Sequence, residues 1–397
     1  MSELDKQSID QQQHWVSDKA YNPNHIEAPD EKAKRYYKAS QWRRMWWQFK
    51  QHKLALYSAL FIILMYLSIP FVEFLAPYSL PTRHTDHIYS PPQSVHFFDE
   101  QGDFQGPFVY GWDYELDMVR LHRNYSEDKS KQYAVEFFSR GDPYLLFGLI
   151  PTDIHFLGVE NGGTLFLLGT DRLGRDQLSR MLYGMRISMT IGLVGVILSF
   201  FLGITLGCLA GYYGGWVDNL IQRITEVIRS IPELPLWMAL SALLPITWSP
   251  LWVFFGVSTI LAFLDWTGLA RAVRSKLISL REEDFATAAV YMGAKPKRII
   301  TKHLLPGFFS HLVASASLSV PAMILGETAL SFLGLGLRPP VTSWGVLLNE
   351  AQNVNIVAIY PWLMAPAIPV ICVVLAFNFL GDGLRDAADP YSNANGS

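Results

Sequence analysis

Polar and apolar residues are segregated along this chain on the length scale of a bilayer. A helix needs roughly 20 residues to cross the hydrocarbon layer, and several stretches approach or exceed that length with little or no charge. Leu54 to Leu75 is the first, and its only charge, Glu73, lies at the far end. Ile187 to Trp216 is uncharged and threaded with Gly192, Gly195, Gly203, Gly207 and Gly211. Such small residues let helix backbones approach closely in lipid. Leu234 to Leu264 is also uncharged but too long for one comfortable span. Pro245 and the Ser249-Pro250 pair break it, which predicts two helices joined by a short outer turn. Further spans are predicted from about Gly307 to Phe332 and within Ala351 to Gly381. The pattern predicts an all-α integral membrane protein with six transmembrane helices, TM1 to TM6.

The segments between the spans orient the chain. Residues 1–30 are polar and aperiodic. Lys32 to Lys53 mixes Lys34, Arg35, Lys38, Arg43, Arg44, Lys50 and Lys53 with Tyr36, Tyr37, Trp42, Trp46, Trp47 and Phe49. Beside an apolar span, this mixture predicts an interfacial helix on the cytoplasmic leaflet. From Pro77 to Gly169, acidic residues outnumber basic ones about two to one, which predicts an outside location. The mostly basic segment from Arg271 to Lys302 is expected inside. The expected order is a cytoplasmic tail over 1–53, TM1 over 54–75 and an extracytoplasmic stretch over 76–186. A membrane core follows over 187–391, with a cytoplasmic loop at 271–306, and a short cytoplasmic tail over 392–397. Both termini are then cytoplasmic. The first apolar run begins too late for a signal peptide.

The outer stretch, about Thr82 to Leu168, reads as a small β-containing module inserted between TM1 and TM2. Val95-His96-Phe97-Phe98 and Pro107-Phe108-Val109-Tyr110 flank a Gly- and Asp-containing turn, which predicts a hairpin. Gln132 to Phe138 and Thr164 to Leu168 are also rich in strand formers.

Composition narrows the class. Half of the 397 residues are hydrophobic and the formal net charge is -3, so nothing points to nucleic acid. Cys208 and Cys372 both sit in apolar runs and read as buried thiols, not a disulfide framework. The sequence contains no Gly-x-x-x-x-Gly-Lys-Ser/Thr phosphate loop, so ATP binding is not expected of this chain. It also lacks a His-Glu-x-x-His helix and a Gly-x-Ser-x-Gly elbow, which leaves an enzyme reading without chemistry. His84, Asp86 and His87 offer metal-ligand types without a fourth partner, and no metal site is assigned.

The strongest motif is Asp284-Phe285-Ala286-Thr287-Ala288-Ala289-Val290-Tyr291-Met292-Gly293-Ala294, followed by His303-Leu304-Leu305-Pro306. It resembles the Glu-Ala-Ala loop of ABC importer permeases, with Thr287 standing where that family usually has Glu. The resemblance implies a short cytoplasmic coupling helix that docks into a cleft on an ATPase. Ala288 and Ala289 would give it a slim face and Gly293 would end it. The expected coupling residues are Thr287, Ala288, Ala289, Gly293, His303, Leu305 and Pro306. Leu168 to Ser188, Ala210 to Asp218, Leu330 to Gly345 and Gly381 to Pro390 resemble the dipeptide/oligopeptide/nickel-type permeases, most closely their second permease subunit. The large outer module departs from the usual short loop and resembles a subgroup that includes oligosaccharide importers.

The resemblance implies a non-catalytic subunit of a binding-protein-dependent importer in the bacterial inner membrane, carrying oligopeptides or oligosaccharides. Its partners would be a second homologous permease, two ATPases that bind the ATP and Mg, and an extracytoplasmic substrate-binding protein. Charges inside spans are costly and usually functional. Glu327 is therefore a candidate pathway or gate residue, together with Asp171, Arg175 and Asp176 near the mouth, whereas Glu233 and Asp265 read as structural. The alternative, a self-powered secondary transporter, needs paired intramembrane ionisable groups and often repeated halves. Only Glu327 fits it.

Overall fold

The computed structural model describes residues 41–119, 122–159, 162–338 and 341–388. The predicted polar tail, the basic-aromatic residues before Gln41, Pro339-Pro340 and the tail beyond Ala388 lie outside the described residues. Helix α1, Gln41–Gln51, carries the remaining tryptophans of the basic-aromatic segment. On it the Arg43 guanidinium lies 5.1 Å from the Trp47 ring centroid, a cation–π contact.

Among the described residues, five helical stretches are long and apolar enough to cross a membrane: Lys53–Leu75, Gln177–Tyr213, Pro250–Arg281, Pro296–Phe332 and Pro361–Ala387. The first is α2, Lys53–Ser68, extended by a 3-10 turn and the short α3, Val72–Leu75. The second, α4, runs Gln177–Tyr213 and starts ten residues before the uncharged run. Asp176 caps it by accepting from Ser179 N at 2.7 Å. The charges Arg180 and Arg186 therefore lie on the helix.

The predicted TM3 takes a different form. α5, Gly215–Arg229, and α6, Glu233–Ala242, are separated at Ser230 to Pro232. α6 has ten residues and is too short to span alone. Next come α7, Pro250–Arg281, then α8, Asp284–Tyr291, and α9, Pro296–Arg298. α10 is Phe309–Phe332, α11 is Trp344–Glu350, α12 is Val354–Ile359 and α13 is Ala367–Ala388.

Glycines set how these helices pack. A Cβ on Gly203 or Gly207 of α4 would stand 2.9 Å from Leu269 or 2.6 Å from the Ala270 carbonyl of α7. Gly211 meets Arg274 and Leu277 in the same way. The numbers rise together along both helices, so α4 and α7 run parallel. Gly192 instead meets Ile324 of α10, and Ser188 meets Glu327, so that pair is antiparallel.

Parallel packing of α4 and α7 requires the chain between them to return along their length, and α5 and α6 make that return. Asp218 pairs with Arg274 at the start of α5, and Leu244 lies against Gly256 just beyond α6. The break at Pro232 explains why hydropathy alone located only part of this passage.

The inserted module is a four-stranded antiparallel meander, β1-β2-β3-β4. Its strands are β1, His96–Phe98, β2, Phe104–Asp117, β3, His122–Leu146, and β4, Ile150–Val159. The predicted hairpin is there, with His96 opposite Phe108 and Phe98 opposite Phe104. Thr164 to Leu168 is not a strand. Leu165 and Phe166 are fully buried, and their N–H groups bond the Tyr78 hydroxyl and the Gln93 side chain, so no ladder forms. His155 is buried at the base of the sheet, with its ring nitrogens facing the carbonyls of Ala76 and Asp142 at 2.6 and 2.9 Å.

Candidate functional site

Two places gather the candidate residues, at opposite ends of the bundle. The first is α8, in the link between α7 and α10. Asp284 in its first turn suits the helix dipole. Its C-terminus closes with Gly293 N–H on Val290 O at 2.9 Å and Ala294 N–H on Ala289 O at 3.0 Å, a Schellman motif. Gly293 has φ +76° and nothing within 4 Å of where a Cβ would stand, so the demand for glycine is one of backbone conformation.

The two alanines separate. Ala286 and Ala289 are buried against a cluster containing Leu277, Ile299 and Leu304. Ala288 is exposed, beside Phe285, Val290, Tyr291 and Met292, the last two 91 and 87 % exposed. Exposed apolar side chains of this size on one short helix make it a candidate interaction site. The Thr287 hydroxyl donates back to the Asp284 carbonyl at 3.0 Å and so serves its own helix. Further on, the chain widens into a π-helical turn, Ile299–Leu304, that carries His303. A 3-10 turn, Leu305–Phe308, follows with Pro306 near its start. Pro306 has no N–H to give, so regular i to i−4 bonding is interrupted here. Leu304 is buried and Pro306 is exposed.

At the sheet end, the loop Gly169 to Asp176 is held by buried ion pairs. Asp171 accepts from Leu173 N and Arg175 N through Oδ1, at 2.8 and 2.9 Å. Its Oδ2 takes the Arg175 and Arg180 side chains at 2.7 and 2.6 Å. Arg180, 2 % exposed, also forks onto both Glu350 oxygens at 2.7 and 2.8 Å. Glu350 is the last residue of α11, so the network ties the loop and α4 to a helix about 170 residues away.

Asp176 is buried against the start of α4. Burial pushes its carboxyl up to about 6, while the Ser179 bonds pull the other way. Gly174 packs against His84, where a Cβ would come within 2.0 Å of the His84 carbonyl. The His84 and His87 rings lie against Phe166.

Glu327 has no exposed surface. It accepts from Ser188 at 3.0 Å and Ser331 at 2.7 Å, and Ser188 in turn accepts from Trp344 N at 3.1 Å. It joins α4, α10 and α11. Asp265 accepts from Ser199 of α4 at 2.5 Å. Sequence reasoning passed over Arg180 and Glu350 as site residues. Arg180 lay within a noted motif, but nothing in the sequence pairs it with Glu350. A cavity of about 270 Å³ opens between the α6–α7 connection and the segment after α10, lined among others by Trp248, Pro250, Leu337 and Arg338.

Comparison with known proteins gives the family of the chain. The family described as binding-protein-dependent transport system inner membrane component matches residues 203–391, and the N-terminal transmembrane domain of oligopeptide transport permease C matches residues 40–92. The glutathione transport system permease protein GsiD of Pectobacterium atrosepticum is 39% identical over 231 residues, 58% of this chain and 74% of that protein. The chain belongs to the permease family of binding-protein-dependent ABC importers.

The dipeptide permease DppC of Alkalihalophilus pseudofirmus is 40% identical over 56% of this chain and 71% of its own length. The inward-facing MetNI methionine ABC transporter is similar at 18% identity and a TM-score of 0.41, over 53% of this chain and 97% of that one. The permease's β-sheet falls between its two family matches, in residues 93–202, which neither covers. Its α7, α8 and α10, with the whole exposed apolar surface of α8, lie inside the second match.

Proposed function

We propose that this permease forms one half of a substrate pathway, with α8 as the helix through which a partner ATPase drives it. The observation that carries this reading is the exposed surface of Phe285, Ala288, Val290, Tyr291 and Met292 on a short, glycine-terminated helix. That helix stands between two long helices at the end of the bundle away from the sheet.

In this reading the α8 end is cytoplasmic and both termini are cytoplasmic. The broken pair of α5 and α6 makes the sixth crossing, because α4 and α7 run parallel. A second homologous permease completes the pathway. Two ATPases bind and hydrolyse ATP with Mg below it, so the chain itself performs no chemistry. A substrate-binding protein delivers its cargo on the sheet side. ATP-driven closure of the ATPases then rocks α7 and α10, between which α8 is slung. Asp171, Arg175 and Arg180 stiffen the loop at the mouth, and Glu327 holds α4, α10 and α11 together as they move.

Relatives named for glutathione, dipeptide and oligopeptide transport favour short peptides as cargo. The test is purification of the permease in mild detergent with its partners, followed by release and mass analysis of the ligand on the co-purified binding protein. Co-purifying ATPases and a peptide ligand are expected. A permease that carries substrate without ATPases overturns the importer reading, and an oligosaccharide ligand overturns the peptide assignment.

A further inference from the structure

The turn between β3 and β4 has a composition at odds with its place. Tyr144-Leu145-Leu146-Phe147-Gly148-Leu149-Ile150-Pro151 is an uncharged and largely apolar run placed at a turn. Turns that face water are built from Gly, Pro, Asn, Asp and Ser. Here Gly148, at φ +71°, makes the bend, and Leu149 N–H bonds Leu146 O at 3.1 Å. Most of the apolar side chains at this turn are exposed. Leu149 is 82 % exposed, and Leu145, Phe147 and Ile150 are each at least half exposed.

One aromatic contact joins this tip to the first membrane span, beside those of Phe74 with Phe138 and Phe156. The Phe147 ring meets the Phe71 ring edge-on, with centroids 5.4 Å apart. Phe71 lies eighteen residues beyond Lys53 on the first membrane span. At 1.5 Å per residue that is about 27 Å along the helix, against roughly 30 Å of hydrocarbon. Phe71 therefore stands where hydrocarbon meets headgroups. It also ends an exposed apolar stripe of Tyr57, Leu60, Ile63, Leu64 and Leu67, a face of this span that the rest of the chain leaves uncovered. The apolar surface of the hairpin tip continues that stripe without a polar interruption at the Phe71–Phe147 contact. Charge returns only at Asp142 and Asp153, on either side of the tip.

We propose that the β3–β4 tip, Leu145 to Ile150, is seated in the lipid leaflet at the sheet end of the bundle and anchors the inserted module to the membrane surface. The proposal rests on Lys53–Leu75 spanning the bilayer. Apolar side chains at the interface gain from leaving water, and a rigid turn carries them at little entropic cost. The anchor holds the sheet at a set tilt over the pathway mouth, because His155 and Asp142 tie its base to Ala76, Ser79 and Thr82 at the same end.

The experiment places a bimane on single cysteines at Leu149, Ile150, Ser130 and Leu64, with Cys208 and Cys372 replaced. The assembled transporter is reconstituted in phosphatidylcholine vesicles. Quenching is read with aqueous iodide and with phosphatidylcholine carrying a shallow doxyl group. The labels at Leu149 and Ile150 are expected to be quenched severalfold more by the doxyl lipid than by iodide, and the label at Ser130 the reverse. Iodide quenching at Leu149 and Ile150 equal to that at Ser130 puts the tip in water and overturns the proposal. Protection from both quenchers means that another protein covers the tip, and overturns it equally. The label at Leu64 separates the two readings, since loss of lipid quenching there would remove the span itself.

Discussion

Gly293, Ala288 and Ala289 show how much one residue's neighbourhood decides. Gly293 holds φ +76° in open space, so a β-branched residue is strained there and Asn is tolerated better. Gly293→Val is expected to abolish transport and ATPase recovery while the protein still inserts, and Gly293→Asn to keep most of both. Uptake by Gly293→Val equal to that of the parent protein would sink the coupling assignment. A Trp at Ala289 should overpack the protein's own interior at a cost of about 1–3 kcal/mol, visible as a lower thermal midpoint. A Trp at exposed Ala288 should leave the midpoint unchanged and block ATPase docking. Reading the motif from sequence gave both alanines one docking face. The helix turns them roughly 100° apart, and only the packing of Ile299 and Leu304 says which faces inward.

Asp176 gives a pH dependence of known sign. Its folded value near 6 lies above the usual 3.9 of an aspartate. The protonated form is favoured in the folded protein, so its contribution to stability is complete below pH 4 and is lost as pH rises through 6. Asp176→Asn keeps an oxygen for the Ser179 cap and carries no charge. Relative to that variant, the parent protein should lose on the order of 2 kcal/mol between pH 4 and pH 7. Thermal unfolding of both across that range is the check, and parallel curves would refute it.

At the scale of elements, helix identity was legible and helix partnership was not. Uncharged runs announce spans because a buried charge is expensive. They could not announce that Arg180 and Arg186 belong to a helix, since what makes them tolerable is distant in sequence. Glu73 takes Arg186 at 2.6 Å, and Asp171 with Glu350 takes Arg180. Removing one partner of a buried pair costs about 3–5 kcal/mol. Arg180→Met, at 2 % exposure, should therefore destabilise the protein clearly more than Arg175→Met, which pairs with the same acids from a rim position at 14 %. Fluorescence-detected thermal midpoints of the two variants measure this, and equal midpoints would contradict it. The break at Ser230 to Pro232 was missed for a related reason. α5 is amphipathic and buries Ile221 against Trp266 and Ala270, so its polar face lowers its hydropathy below that of a lone span.

For the whole molecule the testable quantity is sidedness. Single cysteines at Ser130 in the sheet and Ser275 near the end of α7, both exposed, should react with an impermeant reagent from opposite sides of the membrane. Reaction of both in intact cells would refute the topology. The sheet can be removed more cleanly than its sequence limits suggested. Gln93, Leu165 and Phe166 are buried in its base and belong with the bundle. Replacing residues 95–160 by a short Gly-Ser bridge is expected to preserve assembly with ATPases and to abolish stimulation by the binding protein.

The order of apolar runs, the charge asymmetry of the loops and the short alanine helix with its glycine stop were determined by the sequence alone. Each depends on forces that act within a few turns of chain: transfer of apolar side chains from water, the cost of burying charge, and the backbone freedom of glycine. Tertiary structure decided the rest. It set the parallel packing of α4 and α7 that makes two short helices a return passage. It also decided the burial of Glu327, the pairing of Arg180 with Glu350 and the meeting of Phe147 with Phe71. These are contacts between residues some 70 to 170 positions apart, and their energies exist only once the bundle has brought the partners within a few ångströms.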